Sequence, residues 1–395
     1  MNKGLKRWLA SAEPLSFLAY AVGIVVLFVL YIWRLGSLVP GLSSNEVAAR
    51  DVSSGIHKIY HQPLYAPHSL VQHLFTTFSP HSPFYLRFTS VIFALVMIFC
   101  FYKLAVMLFG KLIGSAGALI FAATPFLVVS GRQATAAIML FSPVVLMLIY
   151  NWLVKSQGHK NLAWLLLIIS SAILVYVPGL FWFVIAGFII CRQRLISAIA
   201  EVPRRVTGIG FILGGLILVP LILRIVSHWT IVKGILLIPT NWEGAVHFIK
   251  NIAWMFLSLF VHASHQNDLI VGQLALLSIV QTALLVFGAY ALWGAAKSKF
   301  YLLWLNIIFA VVAAAANNNL VYLALGLPAA GIFVTAGLRY LYIEWRAIFP
   351  VNPLPKTVAI LLIGVVLAIQ TIYGLRYSVT AWPQTIGTRN AYVLK

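Results

Sequence analysis

The 395-residue chain is 62% hydrophobic and 9% charged, with 27 Lys and Arg against 7 Asp and Glu and a net charge of +20. A soluble domain carries about 25% charged residues, so an ordinary water-soluble enzyme is excluded. The basic residues stand singly along short loops, a pattern of membrane topology and anionic headgroups and not of nucleic-acid binding.

Apolar runs of about twenty residues, each long enough to cross roughly 30 Å of hydrocarbon as a helix, recur from end to end. The first, from Leu15 to Trp33, follows Lys3, Lys6 and Arg7 and has no small-residue cleavage site, so it reads as a retained helix. Further spans are expected at residues 84–108, 112–131, 133–154, 161–176, 178–191, 206–226, 269–295, 300–316, 319–338 and 357–375. Pro178 and Gly179 divide one long apolar run into two short helices, or mark a bend in one tilted helix. The expected fold is an all-α polytopic integral membrane protein: one transmembrane domain over residues 1–395, with about eleven membrane helices within a range of ten to thirteen. Lys and Arg crowd into alternate short loops, which puts the N-terminus in the cytoplasm and the C-terminus outside. Cys100 and Cys191 lie inside apolar runs and read as core residues.

Under that topology every histidine except His159 falls outside, and two outer loops hold the titratable groups. The loop at 36–83 contains Glu46, Asp51, His57, His61, His68, His73 and His81. Its stretches NEVAARDVSSGIHKIY and HSLVQHLFTTF carry apolar residues at helical spacing on either side of Pro63 and Pro67, predicting two interfacial helices joined by a proline turn. The loop at 227–268 includes NWEGAVHFIKNIAWMFLSLFVHASHQND, read as a partly interfacial helix or a twelfth crossing.

The order of these features resembles the membrane glycosyltransferases of the GT-C class, especially relatives of the protein O-mannosyltransferases and aminoarabinose transferases. In that family a first helix leads to an outer loop with an Asp-Glu pair, then two surface helices, then a helix opening on an arginine motif. The matching text here is SSNEVAARDVSSG, followed by PFYLRFTSVIFAL with Arg87. LFGKLIGSAGALIFAATPFLVVSGRQA resembles the third helix, closing at Arg132, and NNLVYLALGLPAAGIFVTAGLRYL resembles the penultimate Tyr-Leu-Leu-Pro-Ala-Leu-Pro helix. Three positions depart from the pattern. The Asp-Glu pair is Asn45 and Glu46, a second family aspartate is missing from QATAAIM, and the lysine-proline element is replaced around Ala66 and Pro67.

The resemblance implies an enzyme of the bacterial cytoplasmic membrane that takes a sugar from a polyprenyl-phosphate-linked donor and gives it to a lipid, glycan or protein acceptor. The departures keep open a non-catalytic relative that binds a lipid-linked sugar or a partner protein; a lipid or solute transporter is a further alternative. Transfer needs a carboxylate to take the acceptor proton. Glu46 is the first candidate, with Asn45 and Asp51 beside it; the alternative reading has Ser43 or Ser44 capping a helix whose macrodipole Glu46 complements. Asp51, five residues on, points about 140° away on a continuous helix. The leaving phosphate needs cations, for which Arg132 and the cluster Arg224, His228 and Lys233 are candidates, each also explained by snorkelling to headgroups. The cofactor stays open. His57 and His61 at i and i+4 present two imidazoles to a divalent metal ion, or hydrogen-bond to loop or lipid; His262, His265 and Asp268 form a second such set. Trp229, Trp242, Trp254, Trp382, Tyr60 and Tyr65 sit near outer boundaries as an interface belt or a sugar platform.

Overall fold

The computed structural model describes residues 14–39, 41–79, 82–155, 158–239, 242, 244–263, 269–348 and 353–394. The elements are α1 (Pro14–Tyr31), α2 (Ser44–Ser53), α3 (Ile56–His61), α4 (Ala66–Thr76), α5 (Pro83–Phe109), α6 (Lys111–Ala122), α7 (Pro125–Arg132), α8 (Pro143–Lys155), α9 (Lys160–Leu174), α10 (Leu180–Ile190), α11 (Arg192–Ala200) and α12 (Arg204–Ser227). After them come α13 (Thr230–Leu236), α14 (Ala245–Phe260), α15 (Ile279–Ala295), α16 (Lys297–Ala316), α17 (Leu327–Ile348) and α18 (Pro353–Leu375). Turns of 3-10 helix precede α8 and α17, and short helical turns follow α18 to the end.

This is an integral membrane protein. Among the described residues six helical stretches are long and apolar enough to cross a bilayer, or up to eight if each of two bent pairs is one span. The expected segments 161–176 and 269–295 appear as shorter apolar helices, because α9 stops at Leu174 and α15 starts only at Ile279. A fifteen-residue helix reaches about 22 Å, less than a full hydrocarbon layer. The late start of α15 has a local cause. Ser278 Oγ accepts from the Gln281 backbone N–H at 3.2 Å while Gln281 Oε1 accepts from the Ser278 N–H at 3.0 Å, a capping box that fixes the first turn there.

The α6–α7 pair bends by 59° at Ala123–Thr124, where Pro125 removes a backbone donor. Carbonyls freed there would be costly in an apolar layer. Tyr31 donates to Ala122 O at 2.8 Å, Gln281 Nε2 to Ile120 O at 3.3 Å and Gln370 Nε2 to Ala123 O at 3.4 Å, so α1, α15 and α18 converge on the bend. Helices α15 and α17 cross at backbone contact. A Cβ on Gly288 would lie 1.8 Å from Phe333 O, and one on Gly337 1.9 Å from Leu284 O.

The first loop holds three helices where two were expected. Ser54 and Gly55 interrupt the stretch read as one helix, and Gly55 is extended between α2 and α3. The undersides of α3 and α4 bury Ile59 and Ala66 against Tyr176, Leu221 and Ile235, seating the loop on α12 and α13. The tail returns to this loop: Leu42 N–H donates to Leu394 O at 2.7 Å, and Leu394 N–H to Leu42 O at 3.2 Å.

Candidate functional site: the first loop and its basic wall

Ser43 caps α2 and places Glu46 at its third position. Ser43 Oγ accepts from the Glu46 N–H and Glu46 Oε2 from the Ser43 N–H, both at 3.2 Å. The Ser-x-x-Glu spacing is legible in the sequence; what the carboxylate meets beyond it is not. Glu46 is fully buried. Arg87 grips it with Nε to Oε1 at 2.9 Å and Nη2 to Oε2 at 3.0 Å, and the Ala134 N–H donates to Oε1 at 2.8 Å. Each oxygen thus accepts twice, which fills a carboxylate.

Arg87 is equally spent. Its remaining donors go to Leu35 O and Val39 O, each at 3.3 Å, and to Gly41 O at 2.6 Å. Its guanidinium lies 5.7 Å from the centre of the Tyr392 ring, and Tyr392 Oη accepts from Gln133 Nε2 at 2.8 Å. Glu46, expected as the base, therefore sits in a closed ion pair that knots the loop to α5, residue 134 and the tail. A base must reach its proton, and this carboxylate has no open lone pair.

Asn45 and Asp51 lie on the exposed side of α2. Asp51 accepts from Lys58 Nζ at 2.6 Å in an ion pair open to solvent. Helix α2 runs unbroken from before Glu46 to beyond Asp51, so the two carboxylates diverge as expected and share no site.

Arg132 stands elsewhere. It is buried, with Nη1 donating to Leu30 O at 2.8 Å and Nη2 to Trp33 O at 2.7 Å. It closes the C-terminal end of α1, a favourable place for a cation on the helix dipole. In the structure these donors of the expected phosphate ligand serve backbone carbonyls.

Two sets that the sequence offers separately, the His57–His61 pair and the cluster with Arg224 and His228, come together instead. Arg224 Nε donates to the His61 carbonyl at 3.4 Å, and His61 Nε2 lies 3.0 Å from His57 Nε2. Desolvation first, then the charges of Arg224, His57 and His228, hold the His61 pKa below the usual imidazole value. Lys233 is exposed on α13. Among the described residues no three His, Cys, Asp or Glu side chains converge as a metal site, and His61 lies against the Arg224 guanidinium. His81, Glu243, His265 and Asp268 lie outside the described residues.

The sequence reading missed the polar layer beneath the loop. Gln72 Nε2 donates to Ala134 O at 3.1 Å, His68 Nε2 lies 3.0 Å from Ser90 Oγ, and Ser90 Oγ donates to Thr135 O at 3.1 Å. Burial pushes the His68 pKa down to about 3, so this ring is neutral and structural. His73 Nδ1 donates to Ser53 O at 2.8 Å. Only apolar spacing on α4 hints at this layer, since its partners are far off in sequence.

No protein-family model and no curated protein matches the chain. Solved structures do: ArnT from Cupriavidus metallidurans, bound to undecaprenyl phosphate, matches at a TM-score of 0.53 and 13% identity over 96% of this chain and 77% of that one. The fold is GT-C-like. The apo state of the same ArnT gives a TM-score of 0.47 at 13% identity, covering 98% of this chain and 77% of that chain. At that identity the GT-C likeness is one of architecture, so the side chains of the loop have to be read from their own geometry.

Proposed function

We propose that the chain is a GT-C-type glycosyltransferase of a bacterial inner membrane, taking a sugar from a polyprenyl-phosphate-linked donor to an acceptor at the outer face. The observation that supports it is the match of nearly the whole chain to a fold whose solved example holds undecaprenyl phosphate. The basic wall of Arg224, His228, His57 and His61 suits the donor phosphate, because the bond from sugar to phosphate breaks with its electron pair left on that phosphate. The acceptor attacks the anomeric carbon and loses its proton to a carboxylate. Asp51 is the loop carboxylate open to solvent among the described residues, and we assign it that role.

One observation favours a second reading. Glu46 is locked and its neighbour is the amide Asn45, which suits a receptor that holds the lipid without turnover. Purified protein supplied with an undecaprenyl-phosphate-linked sugar separates the two. The transferase consumes the donor and releases undecaprenyl phosphate, and Asp51→Asn lowers the rate about 100-fold or more while the lipid is still retained. Lipid retained without cleavage by the wild type makes it a receptor, and lipid moved intact across sealed vesicles makes it a transporter.

A further inference from the structure

The basic wall differs from a fixed-charge site in one respect. His57 and His61, one turn apart on α3, direct their Nε2 atoms at each other across 3.0 Å, with ring centroids 4.2 Å apart. At that distance one ring donates and the other accepts, so the pair holds one proton between its facing nitrogens. Two imidazolium rings would set two N–H groups against each other. Arg224, held to the carbonyl of His61, and His228 lie close enough for their charges to act on His61. An anion seated there turns that repulsion into attraction and creates room for one more proton.

We infer that the His57–His61 pair couples headgroup binding to proton uptake, so that the wall grips a phosphate monoester at mildly acidic pH and releases it as the pH rises. This rests on the reading that the wall receives the donor phosphate. The donor headgroup is a phosphodiester with a single charge and no titration near neutrality. Loss of the sugar leaves a monoester whose second proton dissociates at about pH 6. The dianion formed above that pH gains most from an added positive charge, and the shared proton site supplies it: one dianion, one neutral pair and one proton from solvent give the bound state. The pair thereby distinguishes the spent lipid from the unreacted one.

The other charged groups around α3 are already committed or fixed. Lys58 pairs with Asp51 of α2; His68 and His73 of α4 turn to Ser90 and to the Ser53 carbonyl; Arg50, Arg224 and Lys233 bring guanidinium and ammonium groups and no imidazole. His228 is the remaining imidazole near enough to act on His61.

The test measures binding of undecaprenyl phosphate and of a dialkyl phosphodiester lipid to the full-length protein in nanodiscs between about pH 6 and pH 8, with proton uptake read by calorimetry in buffers of different ionisation enthalpy. Monoester affinity is expected to fall about tenfold per pH unit above pH 6, with close to one proton taken up, while diester affinity changes by less than about threefold. His57→Asn and His61→Asn each flatten that slope. Arg224→Ala weakens binding at every pH and keeps the slope. Tight binding with no slope, or an unchanged slope in both histidine variants, overturns the proton coupling and leaves the transferase reading intact. No binding of undecaprenyl phosphate at any pH removes the donor site itself. Inorganic phosphate that competes as an equal of the lipid overturns the headgroup assignment in favour of a free-phosphate site.

Discussion

Glu46 and Asp51 are five residues apart on one helix and differ in what surrounds them. Arg87 is 2% exposed and Glu46 fully buried, so Glu46→Gln leaves a guanidinium without its counter-charge. A broken buried pair costs about 3–5 kcal/mol. The expected outcome is a fall in the thermal midpoint of the detergent-solubilised protein, and replacing both partners by apolar residues is expected to cost less than replacing either alone. The Asp51–Lys58 pair, with side chains 69% and 52% exposed, contributes at most about 1 kcal/mol. Asp51→Asn therefore leaves the midpoint unmoved, and a lost rate in that variant reports chemistry. Full stability of Glu46→Gln together with lost transfer would return the base to Glu46.

At the scale of elements, helix ends and helix crossings explain residues that look functional in the sequence. Arg132 binds the Leu30 carbonyl in the last turn of α1 and the Trp33 carbonyl just beyond it, so Arg132→Ala should cost about 1–3 kcal/mol for each carbonyl left unpaired while lipid retention is unchanged. A folded Arg132→Ala protein that no longer retains lipid would restore its phosphate role. The crossing of α15 and α17 makes a second prediction. Gly288→Ala forces a methyl into the Phe333 carbonyl and should cost about 3 kcal/mol or more, whereas Gly294→Ala on the same helix meets nothing within 4 Å and should be neutral or slightly stabilising. Midpoints of the two variants compared with wild type decide it.

Across the whole molecule, the tail and the first loop form one unit on one side of the membrane. Leu42 and Leu394 pair through their backbones, and Tyr392 lies between Arg87 and Gln133. Exposed positions in each, Ser44→Cys and Asn390→Cys, should therefore be labelled by an impermeant thiol reagent from the same side, and Lys297→Cys from the other. Labelling of Ser44→Cys and Asn390→Cys from opposite sides would contradict the pairing of loop and tail.

The sequence by itself determined the membrane class, the place of most spans and the start of α2, because hydrophobic length and the Ser43–Glu46 cap are local properties of the chain. The break before Ile279 was also within reach through its Ser-x-x-Gln cap, but the apolar run across 269–278 hid it. Tertiary structure alone decided what each charged group does. Arg87 lies 41 residues from Glu46, and Arg224 lies 163 residues from His61. No local pattern encodes such pairs. In a chain with so few carboxylates, a buried one must find a cation wherever the packing brings it, and Arg224 of α12 meets the backbone of α3 with no carboxylate between them.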